Sequence, residues 1–78
     1  MLDQRFNLLQ SGNYRDLIDA YSKAIELNPK YAEAYYGRRI AYQKLGNTNM
    51  VIQNLKIAAK LGYKQAQTYV TSQGIEWR

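Results

Sequence analysis

Residues 8–30 read LLQSGNYRDLIDAYSKAIELNPK, and residues 42–64 read YQKLGNTNMVIQNLKIAAKLGYK. The two stretches align at an offset of 34 residues, and the same residue type recurs at the aligned pairs Gly12 and Gly46, Asn13 and Asn47, Ile18 and Ile52, Ala24 and Ala58, Leu27 and Leu61, and Lys30 and Lys64. A third copy begins where Ala66 repeats Ala32 and Tyr69 repeats Tyr35. A fixed period of this length predicts a stacked array of helical hairpins, in which each hairpin buries its apolar face against its neighbours.

The spacing of apolar residues predicts five short helices. One apolar stripe runs from Asn13 to Asn28, a second helix spans Tyr31 to Leu45, and the stripe repeats from Thr48 to Leu61. The Gly-Asn pairs at 12–13 and 46–47 each end one helix and cap the next, because Gly adopts the left-handed conformation and Asn accepts free amide hydrogens. Each pair therefore closes an antiparallel hairpin.

Residues 32–58, AEAYYGRRIAYQKLGNTNMVIQNLKIA, and residues 24–29, AIELNP, resemble the tetratricopeptide repeat (TPR). The resemblance runs from Met1 to about Val70 and implies an all-α fold, a right-handed superhelical array of antiparallel helical hairpins. It implies a single TPR domain, residues 1–78, made of two TPR units and a C-terminal capping helix. The units are repeat one at 1–31, repeat two at 32–65 and the capping helix at 66–78.

The resemblance also implies a concave groove that binds a peptide or a partner's helix. The groove residues expected at the family's positions are Leu2, Phe6, Leu9, Gln10, Tyr36, Ile40, Gln43, Lys44, Gln67 and Val70. Such a groove would accept an amphipathic helix or an extended segment. The competing interpretation is that Phe6 and Ile40 only pack against neighbouring helices. The Lys and Asn residues with which some family members grip acidic chaperone tails are replaced here, so chaperone-tail binding is not expected.

Two arginines depart from the family pattern. Where the family has a small residue midway along the first helix of each hairpin, this chain has Arg5 opposite Leu17 and Arg39 opposite Val51. A buried arginine is costly unless its head reaches solvent or a carboxylate, so we expect loosened packing within both hairpins. Two and a half repeats are also fewer than such arrays usually need. We therefore expect a homo-oligomer, formed by stacking hairpins or by exchanging helices between chains.

Positive charge is concentrated in the second half of the chain. Lys and Arg total 11 against 6 Asp and Glu, and residues 34–75 contain no acid but six bases. This asymmetry favours an acidic or amphipathic protein partner. The alternative is a basic nucleic-acid-binding helical module, because residues 35–39, YYGRR, mix aromatic and basic side chains.

Several function classes lack the residues they require. The chain has no Cys and no His, so disulfides, thiol nucleophiles and zinc sites built on these residues are excluded. No phosphate-binding loop or dinucleotide motif occurs, and we predict no catalytic residues, no cofactor and no metal. No apolar run approaches the roughly 18 residues of a membrane span. The N-terminal residues do not resemble a secretory signal, and the expected location is cytoplasmic.

Overall fold

The computed structural model describes residues 13–78, which contain four α-helices and no strand. These are α1 (Asn13–Leu27), α2 (Ala32–Lys44), α3 (Thr48–Lys60) and α4 (Lys64–Ser72). Each helix packs mainly against the helices that precede and follow it in the chain. The predicted all-α repeat array is therefore confirmed for this part of the chain. The helix predicted before Gly12, with Leu2, Arg5, Phe6, Leu9 and Gln10, lies outside the described residues.

The Gly-Asn turn between α2 and α3 has the predicted geometry. Gly46 has φ +80°, its amide donates to the Gln43 carbonyl at 3.1 Å, and the Asn47 amide donates to the Tyr42 carbonyl at 3.0 Å. This double hydrogen bond is a Schellman motif, which satisfies the last free carbonyls of a helix. The Asn47 side chain then accepts a hydrogen bond from the Met50 amide at 3.2 Å and caps α3.

The same C-terminal motif ends α3 at Gly62 and α4 at Gly74, both with positive φ. In the second case the helix is α4, Lys64–Ser72, which overlaps residues 66–78, the expected capping unit. Beyond Gly74 the chain folds back on α4. Ile75 and Trp77 pack against the core, and the Trp77 Nε1 donates to the Thr71 Oγ1 at 3.3 Å.

The core lies where α3 meets α4. Leu55, Ala58 and Ala59 of α3 and Ala66 and Val70 of α4 are fully buried. Alanine dominates this contact because small side chains allow two helix backbones to approach closely. Tyrosines pack against these small residues and add large apolar rings to the core. The partly buried tyrosines packed against the core are Tyr35, Tyr36, Tyr42, Tyr63 and Tyr69.

Arg38 joins α2 to both of its neighbours. Its Nη1 donates to the Ser22 Oγ of α1 at 3.0 Å, and its Nε donates to the Asn54 Oδ1 of α3 at 2.8 Å. Asn54 is fully buried and its Nδ2 donates to the Met50 carbonyl at 2.7 Å. A buried polar group is stable only when it is hydrogen-bonded, and this network satisfies Asn54.

No helix among residues 13–78 is long and apolar enough to cross a membrane.

Candidate peptide-binding surface

One face of α2 remains open after the helices have packed. Tyr36, Ile40 and Gln43 follow one another at spacings of four and three residues, which places them on the same side of a helix. Ile40 is 41% exposed, and Gln43 is also exposed. An aliphatic side chain this accessible, between a tyrosine and an amide, is suited to contact with another molecule.

A depression opens beside this face, between α2 and α4. Its volume is about 430 Å³, and it is lined by Tyr36, Lys64, Gln65, Thr68, Tyr69 and Ser72. We call it the tyrosine pocket, because Tyr36 and Tyr69 are the aromatic residues of its lining. A smaller depression of about 190 Å³ is lined by Tyr69 together with Gln43, Gly46, Thr48 and Val51. Tyr69 therefore borders both hollows.

Arg39 lies between the two tyrosines and is only 8% exposed. Its Cζ lies 4.4 Å from the ring centroid of Tyr36 and 5.2 Å from that of Tyr69. Its Nη1 donates to the Gln43 Oε1 at 2.9 Å, while its Nε has no acceptor among residues 13–78. The guanidinium thus stacks on two rings and contacts the neutral amide of a side chain of its own helix.

The sequence predicts loosened packing where Arg39 lies opposite Val51, and this stays a prediction. In the structure the guanidinium of Arg39 lies against Tyr69 of α4, and Val51 belongs to the core cluster. Two aromatic faces, which attract a cation, and the hydrogen bond to Gln43 offset part of the cost of burying the charge.

The predicted groove residues divide into two groups. On α2, Tyr36 lines the tyrosine pocket, and Ile40, Gln43 and Lys44 are exposed. On α4, Val70 is fully buried in the core, and the Gln67 Nε2 donates to the Ala59 carbonyl of α3 at 3.0 Å. The placement of Val70 on an open groove is therefore corrected, and Gln67 is engaged by α3.

The open face of α4 consists of other residues, namely Gln65, Thr68, Tyr69 and Ser72. The physical reason is the pair Ala66 and Val70, one turn apart, which forms the apolar stripe that α4 buries against α3. The burial of this stripe fixes which side of α4 faces α3. The spacing of Ala66 and Val70 in the sequence could therefore have identified Gln65 and Thr68 as residues of the open side of α4.

The described part of the chain, residues 13–78, has no group of three or more His, Cys, Asp or Glu that could hold a metal ion. The side chains around the tyrosine pocket are hydroxyls, an amide and an ammonium. This set can donate hydrogen bonds to a bound segment, and it lacks the adjacent acid and base or the activated nucleophile with which catalytic sites are built.

Sequence comparison with known proteins identifies a family of helical hairpins, in agreement with the helices and turns described above. A sequence model of the TPR repeat family matches residues 7–46, slightly more than half of the chain. The chain belongs to the TPR family. Proteins of this family are interaction modules in general. Among residues 13–78, α2 and α3 form one helical hairpin closed by the turn at Gly46.

A curated TPR protein is also similar to this chain. The small glutamine-rich tetratricopeptide repeat-containing protein 2 of Mycosarcoma maydis is 33% identical over 61 residues. The match covers 78% of this chain but 17% of that relative. No solved structure gives a significant match.

Proposed function

We propose that this TPR chain is a protein-protein interaction module that binds a peptide segment or a helix of its partner across α2 and α4. The observation that carries the proposal is the open surface formed by Tyr36 and Ile40 of α2 and Tyr69 of α4. Tyrosine supplies a large apolar area and a polar end, and it is enriched at the centres of protein interfaces. Tyr36 and Tyr69 line the same hollow from separate helices, so one side chain of a partner can contact both of them there.

The length of the surface favours an elongated ligand. It extends along α2 from Tyr36 through Ile40 to Gln43 and Lys44, and it includes both hollows beside Tyr69. A helix or an extended segment presents side chains at regular intervals and can occupy several such positions at once. We propose that Leu2, Phe6, Leu9 and Gln10 continue the same surface from the first helix of repeat one.

Self-association is part of the proposal, with a second copy of the chain as an alternative occupant. Helix exchange would require the turn at Gly46 to open, which would break both hydrogen bonds of its Schellman motif and the Asn47 cap. Stacking of intact hairpins does not carry that cost. Light scattering after gel filtration at tens of micromolar distinguishes a dimer from a monomer.

A random peptide library displayed on phage, selected against the full chain, tests peptide binding directly. The selected peptides are then titrated against Ile40→Ala and against its matched control, Ile57→Ala. The two isoleucines are 41% and 37% exposed, but Ile57 lies on the outer face of α3, away from the tyrosine pocket. We expect Ile40→Ala to weaken binding and Ile57→Ala to leave it unchanged. Equal effects of the two variants would argue against a site on α2, and a selection without enrichment would refute peptide binding.

A further inference from the structure

We propose that the partner segment places a carboxylate in the tyrosine pocket. This inference rests on the proposed function and adds the chemical class of the bound group. It is argued from three features: the composition of the pocket lining, the buried charge of Arg39, and the absence of Asp and Glu from residues 34–75.

The lining of the tyrosine pocket is suited to an anion. Lys64 supplies a positive charge, and Gln65, Thr68 and Ser72 supply hydrogen-bond donors beside the two tyrosines. None of the described residues that line the pocket is acidic, so none of them neutralises Lys64 or repels a carboxylate. A carboxylate accepts several hydrogen bonds at once, and bonds to charged donors are stronger than those between neutral groups.

The buried guanidinium of Arg39 adds to this preference. Tyr36 and Tyr69, the rings on which Arg39 stacks, are also the aromatic residues of the pocket. Among the described residues the hydrogen-bond partner of Arg39 is the neutral Gln43, and its Nε has no acceptor. A buried charge without an opposite charge nearby raises the free energy of the chain, and a low dielectric extends its attraction for an anion. A carboxylate that touches the same two rings would lower this cost.

The wider charge distribution favours the same group. Residues 34–75 contain six basic residues and no Asp or Glu, and they include all of α2, α3 and α4 apart from the first two residues of α2. A surface of one charge sign increases the rate at which an oppositely charged segment associates. We favour a protein carboxylate over nucleic acid phosphate because the pocket is a single hollow with one lysine, whereas nucleic-acid binding relies on many phosphate contacts.

The library selection tests the inference at two levels. We expect the enriched peptides to contain Asp or Glu at a shared position. Replacing that residue by Asn or Gln should weaken binding roughly tenfold, the effect of losing a close charge pair at an interface. Enriched peptides that are neutral and still depend on Ile40 would overturn this inference while the proposed function stands. A selection without enrichment would overturn both.

Variants of the chain locate the carboxylate. Lys64→Gln should weaken the binding of the acidic peptide several-fold and leave the binding of its Gln-substituted version unchanged. Lys23→Gln removes the same charge from an exposed position on α1 outside the pocket and should change neither titration. Equal losses for Lys64→Gln and Lys23→Gln would show general charge attraction and overturn the assigned site. Tighter binding of oligothymidylate than of any selected peptide would also overturn it.

Arg39→Met provides an independent measurement. Methionine keeps the unbranched stem and removes the charge, so we expect the melting temperature to be unchanged or higher. The acidic peptide should nevertheless bind less tightly, and its Gln-substituted version should bind Arg39→Met and the parent chain equally. If Arg39 had a purely structural role, Arg39→Met would instead lower the melting temperature and weaken the binding of both peptides alike. That result would contradict the inference.

Discussion

Gly37 of α2 lies directly against the ring of Tyr21 of α1. A Cβ atom placed on Gly37 would be 2.5 Å from the Cζ of Tyr21 and 2.6 Å from its hydroxyl oxygen. Carbon atoms in contact normally lie about 3.5–4.0 Å apart, so no side chain fits here while the ring keeps its position. The glycine in the middle of α2 thus allows the first and second described helices to approach each other.

Gly37→Ala should destabilise the chain by up to about 2 kcal/mol. Overpacking a close contact costs about 1–3 kcal/mol, and the better helix propensity of alanine returns about 1 kcal/mol of that. Urea unfolding followed by circular dichroism measures the difference. In a Tyr21→Leu background, where the ring is absent, the same change should be neutral or stabilising. A destabilisation of equal size in both backgrounds would rule out the contact with Tyr21 as its cause.

Gly46→Ala should destabilise the chain for a different reason. Gly46 has φ +80° and no atom within 4 Å of a Cβ placed on it, so the cost comes from the backbone conformation alone. The left-handed conformation costs a residue with a side chain about 1–2 kcal/mol. Gly46→Asn should lose less stability than Gly46→Ala, because Asn tolerates the left-handed conformation. The Tyr21→Leu background should not alter either value, and unchanged stability of Gly46→Ala would contradict the observed turn.

Asn47→Ala removes the cap of α3 and should cost about 1 kcal/mol. Its side chain accepts from the Met50 amide, and alanine leaves that donor without a protein partner. Asn49→Ala is the control, because Asn49 is exposed in the first turn of the same helix. Thermal unfolding of the two variants separates the capping bond from the general effect of an Asn to Ala change, and equal midpoints would be evidence against the cap.

Asn54→Ala should be the most destabilising of these changes, by about 2–3 kcal/mol. The substitution leaves a cavity and deprives the Arg38 Nε of its acceptor in a partly buried setting. Gln53→Ala, at the exposed neighbouring position on α3, should have little effect. A double-mutant cycle with Arg38→Met should give a coupling energy above about 0.5 kcal/mol. Additive losses would mean that the two side chains do not depend on each other.

The hairpins and their turns could be predicted because their signals are local. Each apolar stripe, and the pair Gly46 and Asn47, lies within a few turns of helix, and the 34-residue offset repeats these local signals. The observed helices agree closely with them. Gly74 ends α4 with the same local motif that ends α2 and α3.

The surface between α2 and α4 could be predicted only in part. The family's groove positions correspond to Tyr36 and Ile40 on α2 and to Gln67 and Val70 on α4. On α4, however, Ala66 and Val70 are buried against α3, and this burial turns Gln65 and Thr68 toward the pocket. The stacking of Arg39 between two tyrosines joins residues 36 and 69, and such a contact depends on how the helices pack.

The most direct test of the account is amide chemical-shift mapping of the isotope-labelled chain with the tightest peptide from the library selection. We expect shifts at Tyr36, Ile40, Gln43, Thr68 and Tyr69, with little change at Gln53, Ile57 and Lys60 on the outer face of α3. Shifts confined to the outer face, with Tyr36 and Tyr69 unaffected, would contradict the assignment of the binding surface to α2 and α4.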